Sequence, residues 1–194
     1  MARRATVLSD IDAFAAVRAL ALLAAGVVVV RGLSGVRGQR VVARTGWQYI
    51  WVLYAVDYAI LLRHPLPTLI PSWYDALVRP LGLALMVAGI VVVGWAYATM
   101  GGYWSGAISA RADHRVIAEG PFAFVRHPVY AAFLLGVIGG ALALADPVAA
   151  VTALVSIPLM RGRALAEERF LEDRLGDAYR DYRKRVSMFV PGVF

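Results

Sequence analysis

The chain has 194 residues, 60% of them hydrophobic, with 20 Lys or Arg against 13 Asp or Glu. That is too apolar for a water-soluble fold of this size, where about half the residues are apolar, and the absence of cysteine excludes disulfides, zinc–thiolate sites, thiol nucleophiles and S-acylation. The net charge of +7 is almost all arginine, Lys184 being the sole lysine; the arginines cluster between apolar runs, which points to membrane topology and not to nucleic-acid binding.

A bilayer-spanning helix needs about 20 mostly apolar residues, with roughly 17 as the lower bound. The first run covers 13–30, with Arg18 near its start able to snorkel to the headgroups. Before it, "MARRATVLSDIDAF" has a basic start but places Asp10 and Asp12 ahead of the apolar run, and no small-residue cleavage site follows. The run is therefore expected to be retained as a helix. The second covers 47–62, with Trp47, Tyr49 and Trp51 as interfacial anchors. It contains Asp57, read as a polar contact to a neighbouring helix. Arg63, His64 and Pro65 follow, then Pro67 and Pro71, with no acidic pair placed to meet them; this reads as an interfacial helix stop. The third covers 76–100, and Gly82, Gly89 and Gly94 would allow close helix packing.

The fourth run covers 129–145. "ADP" at 145–147 makes a tight turn, with proline suited to the first turn of the next helix. The fifth, 148–160, is short for a span. The spacing predicts that it forms a hairpin with the fourth and continues as one long helix that leaves the membrane. The run "GVIGG" at 136–140 lies inside an apolar helix and reads as packing. If 101–128 is cytoplasmic, the first loop (Arg31, Arg37, Arg40, Arg44) and the eight Arg or Lys between Arg161 and Arg185 are cytoplasmic too, while Arg3, Arg4, Arg63 and Arg79 face the other side. That bias predicts five spans with the C-terminus inside. The expected fold is an all-α integral membrane protein of about five transmembrane helices with a C-terminal cytoplasmic amphipathic helix. It is a single domain over 1–194: N-terminal transmembrane helices in 1–100, then a cofactor-binding core in 101–194 built on the hairpin 129–160.

Two polar segments, 101–130 and 161–194, share one side in this topology. The hairpin makes its mouth residues neighbours, so Arg126, His127 and Tyr130 should approach Arg163, Glu167 and Glu168. Arg163 and Glu167 form an i,i+4 pair. In the tail, Leu171, Leu175, Tyr179 and Tyr182 recur at helical spacing, and Gly176 marks a bend or cap. A glutamate opposite Arg-His-Pro can hold the amino or sulfonium cation of a ligand. Plainer roles stand beside these: a solvated face for the two glutamates, a helix cap for His127, a headgroup anchor for Arg185, interfacial packing for Tyr179 and Tyr182, and solvent exposure for Asp113 and Arg115. No G-x-G-x-x-G after a strand, H-E-x-x-H, G-x-S-x-G or P-loop is present, and no metal site is expected.

"GPFAFVRHPVYAAF", the "DP" turn and "RALAEERFLEDRLGDAYRDYRKRV" together resemble the isoprenylcysteine carboxyl methyltransferase family of membrane enzymes, whose C-terminal core is shared with phospholipid N-methyltransferases. The family pattern R-H-P-x-Y, apolar hairpin, R-x-x-x-E-E, F-G-x-x-Y-x-x-Y and a basic segment is met at Arg126, His127, Pro128, Tyr130, Arg163, Glu167, Glu168, Gly176, Tyr179 and Tyr182. His114 falls where the isoprenylcysteine branch has a histidine before "LVxxG". Leu175 replaces the usual phenylalanine, Ala131 and Ala132 stand where many relatives have glycine, and Ser187 stands where eukaryotic members have proline.

The resemblance implies S-adenosylmethionine binding without a Rossmann domain, S-adenosylhomocysteine as product, and a lipophilic small-molecule or prenylated acceptor reached from the bilayer. It implies a cofactor site of His114, Val116, Gly120, Arg126, His127, Pro128, Tyr130, Arg163, Glu167 and Glu168. Glu168, Arg126 and Arg185 form the expected catalytic set, with the two arginines as candidates to hold an acceptor carboxylate. Alternatives are a phospholipid or other small-molecule N-, O- or S-methyltransferase, an NADPH-dependent sterol-type reductase, and a non-catalytic membrane protein.

Overall fold

The computed structural model describes residues 2–35, 50–63, 70–101 and 116–193, with side chains described for 12–30, 52–63, 70–101 and 116–193. Among these residues six α-helices follow one another: α1 (Ala2–Gly35), α2 (Ile50–Leu62), α3 (Arg79–Met100), α4 (Pro128–Leu144), α5 (Pro147–Leu175) and α6 (Asp177–Arg185). A π-turn, Tyr74–Val78, leads into α3, and a 3-10 turn, Gly120–Ala123, precedes α4. The described residues include no β-strand, only isolated bridges. Among the described residues, three helical stretches are long and apolar enough to cross a membrane: Asp12–Val30, Tyr74–Met100 and Pro147–Leu175. Val52–Leu62 and Pro128–Leu144 are shorter apolar helices. Leu22, Val30, Val52, Leu81, Val91 and Leu154 all face outward, a surface suited to lipid.

Helix α4 lies at the centre, with 11 of its 17 residues buried. Its partners Val17 and Ala21 (α1), Leu61 (α2), Met86 (α3) and Met160 (α5) join it in one core. The α3–α4 contact is backbone against backbone. A Cβ on Gly82 would sit 2.5 Å from the Gly139 carbonyl oxygen, and one on Gly139 would sit 2.5 Å from that of Gly82. Gly89 meets Ala132 in the same way at 2.7 Å. Such close approach lets two helices pack where lipid offers no hydrophobic drive between them. Gly94, expected to belong to this seam, faces open space, as does Gly136.

The α4–α5 turn is built from its sequence. Ala145 takes a left-handed conformation (φ 52°), Asp146 caps α5 by accepting from the Val148 and Ala149 amides, and Pro147 fills the first turn. The last carbonyls of α4 are also met: Tyr74 donates to Leu142 at 2.8 Å and buried Arg79 to Ala143 at 2.7 Å. Arg63, read as lacking an acidic partner, pairs with Asp146 at 2.6 Å. That partner comes from 83 residues away and carries no local signal. Asp57 makes the contact expected of it, accepting from Ser156 of α5 at 2.8 Å. Helix α5 runs unbroken from the turn to Leu175, past Pro158. Gly176 (φ 56°) then ends it and starts α6, so the tail forms two helices.

Candidate functional site

At the mouth of the hairpin, opposite the Asp146 turn, six polar residues converge from two helices. Helix α4 begins at buried Pro128, and the two residues before it bring in Arg126 and His127. The His127 side chain makes no helix-capping hydrogen bond; it turns to α5. Two turns beyond the apolar part of α5, Arg163, Glu167 and Glu168 come round to meet them.

The two glutamates have unlike surroundings. Glu168 is buried, and its Oε1 accepts from Arg126 Nε at 2.7 Å and lies 3.0 Å from His127 Nε2. Arg183 Nε stands 3.3 Å from Oε2, although that oxygen has no hydrogen bond among the described residues. Because Oε1 already accepts from a guanidinium, His127 Nε2 must carry the hydrogen it points there. Glu167 keeps a 30% exposed side chain and accepts from the Tyr130 hydroxyl at 2.6 Å. That hydroxyl in turn accepts from Arg163 Nε at 2.8 Å. The i,i+4 pair of Arg163 and Glu167 is thus bridged by a residue of α4. His127 stacks on Tyr130 with ring centroids 5.4 Å apart, and its Nδ1 lies 3.9 Å from Glu167.

Arg126 also binds the C-terminal end of α6, donating from Nη1 to the carbonyls of Arg183 (3.1 Å) and Val186. Its fork is therefore engaged by protein, which leaves little of it to hold an acceptor carboxylate as the sequence suggested. Arg185 does not reach the cluster: it is exposed, and its Nε donates to the Asp181 carbonyl one turn back. Gly120 (φ 56°) brings its turn against Trp95 and Thr99 of α3, where a Cβ would collide with Thr99 Oγ1. Val116 packs with Tyr179, Tyr182 and Val186. His114 lies outside the described residues.

Burial pushes the Tyr179 hydroxyl well up, with the carboxylates of Glu168 and Glu167 adding to it. Burial does the same to Tyr182, partly opposed by Arg126. Both stay protonated, and Tyr182 donates to the Phe122 carbonyl at 2.7 Å. Sequence reasoning missed Arg183 and the residues after α6. Arg183 was findable: Glu172 and Glu168 precede Gly176 at much the same intervals at which Arg180 and Arg183 follow it, so a turn at Gly176 sets them opposite one another. The resulting contacts are Arg180–Glu172 at 2.8 Å and Arg183–Glu172 at 3.2 Å.

Residues 82–173 match the profile of the isoprenylcysteine carboxyl methyltransferase (ICMT) family. Over 130 residues the chain is 29% identical to protein-S-isoprenylcysteine O-methyltransferase B of Arabidopsis thaliana, covering 66% of this chain and 64% of that one. Over 121 residues it is 32% identical to the cobalt-zinc-cadmium resistance protein CzcN of Cupriavidus metallidurans, covering 61% and 53%. The solved structure of the eukaryotic intramembrane Ras methyltransferase ICMT superposes with a TM-score of 0.59 at 22% identity, over 86% of this chain and 60% of that one. The chain thus spans between about half and two thirds of the length of these relatives. In sequence over residues 82–173, and in its multi-pass membrane fold, the chain is similar to the isoprenylcysteine carboxyl methyltransferase family.

Proposed function

We propose that this chain is an integral-membrane S-adenosylmethionine-dependent methyltransferase with a lipophilic acceptor, most like the protein-S-isoprenylcysteine O-methyltransferases. The observation that carries the reading is the unequal pair of glutamates. Glu168 is already matched by Arg126, His127 and Arg183; Glu167 is part-exposed and bonded only by a neutral hydroxyl among the described residues. The second carboxylate can take a ligand's ammonium or face its sulfonium without displacing a protein cation. The Oε2 of Glu168, which makes no hydrogen bond among the described residues, adds acceptor capacity beside it. The residues present therefore fit the cofactor.

When bound, S-adenosylmethionine would supply a methyl group already activated by its sulfonium, leaving S-adenosylhomocysteine. Glu167 would bind the cofactor's amino group. Tyr130 and Arg163 orient that carboxylate, and Glu168, tied to Arg126 and His127, fixes α5 against the start of α4. Gly120 and Pro128 would shape the walls, and the family resemblance alone assigns His114 and Val116 to the site. A carboxylate acceptor is ionised at neutral pH and needs no general base, so the protein supplies alignment and exclusion of water. Arg185, exposed at the end of α6, is assigned to anionic headgroups. The membrane topology that goes with this reading has five spans, the cofactor site and C-terminus cytoplasmic, and 1–194 acting as one domain.

Purified protein in detergent or nanodiscs should show saturable stabilisation by S-adenosylhomocysteine and a calorimetric binding signal. No response to it or to S-adenosylmethionine overturns the proposal, and a response to NADPH instead would favour a reductase. Similarity to a protein named for metal resistance supports a second reading of the acceptor as something other than prenylcysteine. Methyl transfer from labelled cofactor to a prenylcysteine analogue, compared with transfer to total lipid, separates the two.

A further inference from the structure

The segment after α6 lies across the site. Val125 and Ser187 form a parallel bridge. The Arg126 amide donates to the Ser187 carbonyl at 2.8 Å, and the His127 amide to that of Met188 at 3.1 Å. The segment then closes on itself: Gly192 (φ 80°) donates to Ser187 Oγ at 2.9 Å, and Val193 to the Val190 carbonyl at 3.0 Å. Residues 187–193 are thus a strap pinned to the backbone of the two residues that hold Glu168.

Polarity changes steeply along this strap. Arg183, Lys184 and Arg185 are exposed cations, Ser187 is buried, Met188 and Phe189 are half-buried against the central core, and Val190 and Val193 are exposed apolar side chains. In a few residues the chain passes from a charged surface, over the site, to a surface suited to lipid. Phe189 sits where that change occurs. Its ring meets the edge of His127 with centroids 6.0 Å apart, and His127 stacks on Tyr130, which bonds Glu167. A file of three rings therefore leads from the apolar end of the strap to the exposed glutamate.

We infer that Phe189, with Met188 beside it, forms the wall that sorts the apolar chain of the methyl acceptor where it passes from lipid toward Glu167. This rests on the methyltransferase reading above. An acceptor anchored in hydrocarbon must bring its reacting group to a polar cluster at the membrane edge, and the Phe189 ring is an apolar side chain of the strap that meets a member of that cluster.

The test uses the full chain in nanodiscs, with Phe189→Ala, Phe189→Leu and Phe189→Trp beside the unaltered protein. S-adenosylhomocysteine affinity is read by calorimetry, and kcat/KM is read for cysteine thioethers bearing short, medium and long apolar chains. Phe189→Ala should shift the long-to-short preference upward by about tenfold or more, as expected for a hydrophobic pocket that gains room. Phe189→Trp should shift it downward, and cofactor affinity should hold in both. An unchanged order of preference overturns the inference. So does a parallel loss of cofactor affinity and of turnover on every acceptor in Phe189→Leu, which would mark Phe189 as a mere support for His127. Unaltered protein that binds no S-adenosylhomocysteine overturns the methyltransferase reading and this inference with it. Unaltered protein that methylates while its variants keep the same order overturns this inference alone.

Discussion

Glu167 and Glu168 adjoin in sequence yet point about 100° apart around a helix, and what each meets decides what it can do. Glu168 faces Arg126 with both side chains buried, at 1% and 6% exposure respectively. Removing one partner of a buried pair leaves the other charge uncompensated, at a cost of about 3–5 kcal/mol. Glu168→Gln should therefore lower the thermal unfolding temperature sharply. Glu167→Gln should leave stability near that of the unaltered protein and weaken S-adenosylhomocysteine binding by about tenfold to a hundredfold, the value of one charge-assisted hydrogen bond. Calorimetry and thermal unfolding on both variants check this, and equal effects on both readouts would contradict it. Tyr130→Phe removes the hydroxyl between Arg163 and Glu167. It should reproduce part of the Glu167 affinity loss, about 1 kcal/mol for one hydrogen bond, and isothermal titration reads it directly. That these residues meet was legible from the hairpin alone. Which glutamate is anchored was not, because that depends on Arg183 and on the carbonyls of α6, which arrive from a third element.

Among the elements, the limits of the helices were easier to read than their faces. Apolar runs, the Asp146–Pro147 start and the Gly176 break place α3, α4 and α5 within a few residues of where they lie. In a bilayer, however, both the lipid side and the packed side of a helix are apolar, so periodicity does not say which glycines touch a neighbour. That is why Gly94 was grouped with Gly82 and Gly89. The strap at 187–193 was equally hidden, being short, aperiodic and held by backbone bonds. The seam supplies its own control. Gly139→Ala would set a Cβ 2.5 Å from the Gly82 carbonyl and 2.9 Å from the Met86 amide, atoms that cannot move without the helix. Overpacking of this kind costs about 1–3 kcal/mol. Gly94→Ala meets nothing within 4 Å and gains the helix propensity of alanine, about 1 kcal/mol. Unfolding in one detergent should therefore rank Gly94→Ala at or above the unaltered protein and Gly139→Ala clearly below it.

Across the whole molecule, the hairpin separates two polar ends. One holds Asp146, Arg63 and Arg79, each paired or bonded within the turn region. The other holds the glutamate cluster and the cation-rich helix α6. Among the described residues, three α-helices, α3, α4 and α5, lie between Ser72 and Asp177 in sequence. In the proposed topology these three cross in turn, so the two positions lie on opposite sides of the bilayer, and the excess of arginine after α5 puts the second in the cytoplasm. The chain is free of cysteine, so single-cysteine variants report position without background. Ser72 and Asp177 are both exposed. Ser72→Cys should react with a membrane-impermeant maleimide in intact cells, and Asp177→Cys only after permeabilisation. Reaction of both from one side would mean that α3, α4 and α5 do not make three crossings. Reaction with the sides exchanged would keep the hairpin and reverse its orientation, which would put Glu167 away from the compartment in which S-adenosylmethionine is made.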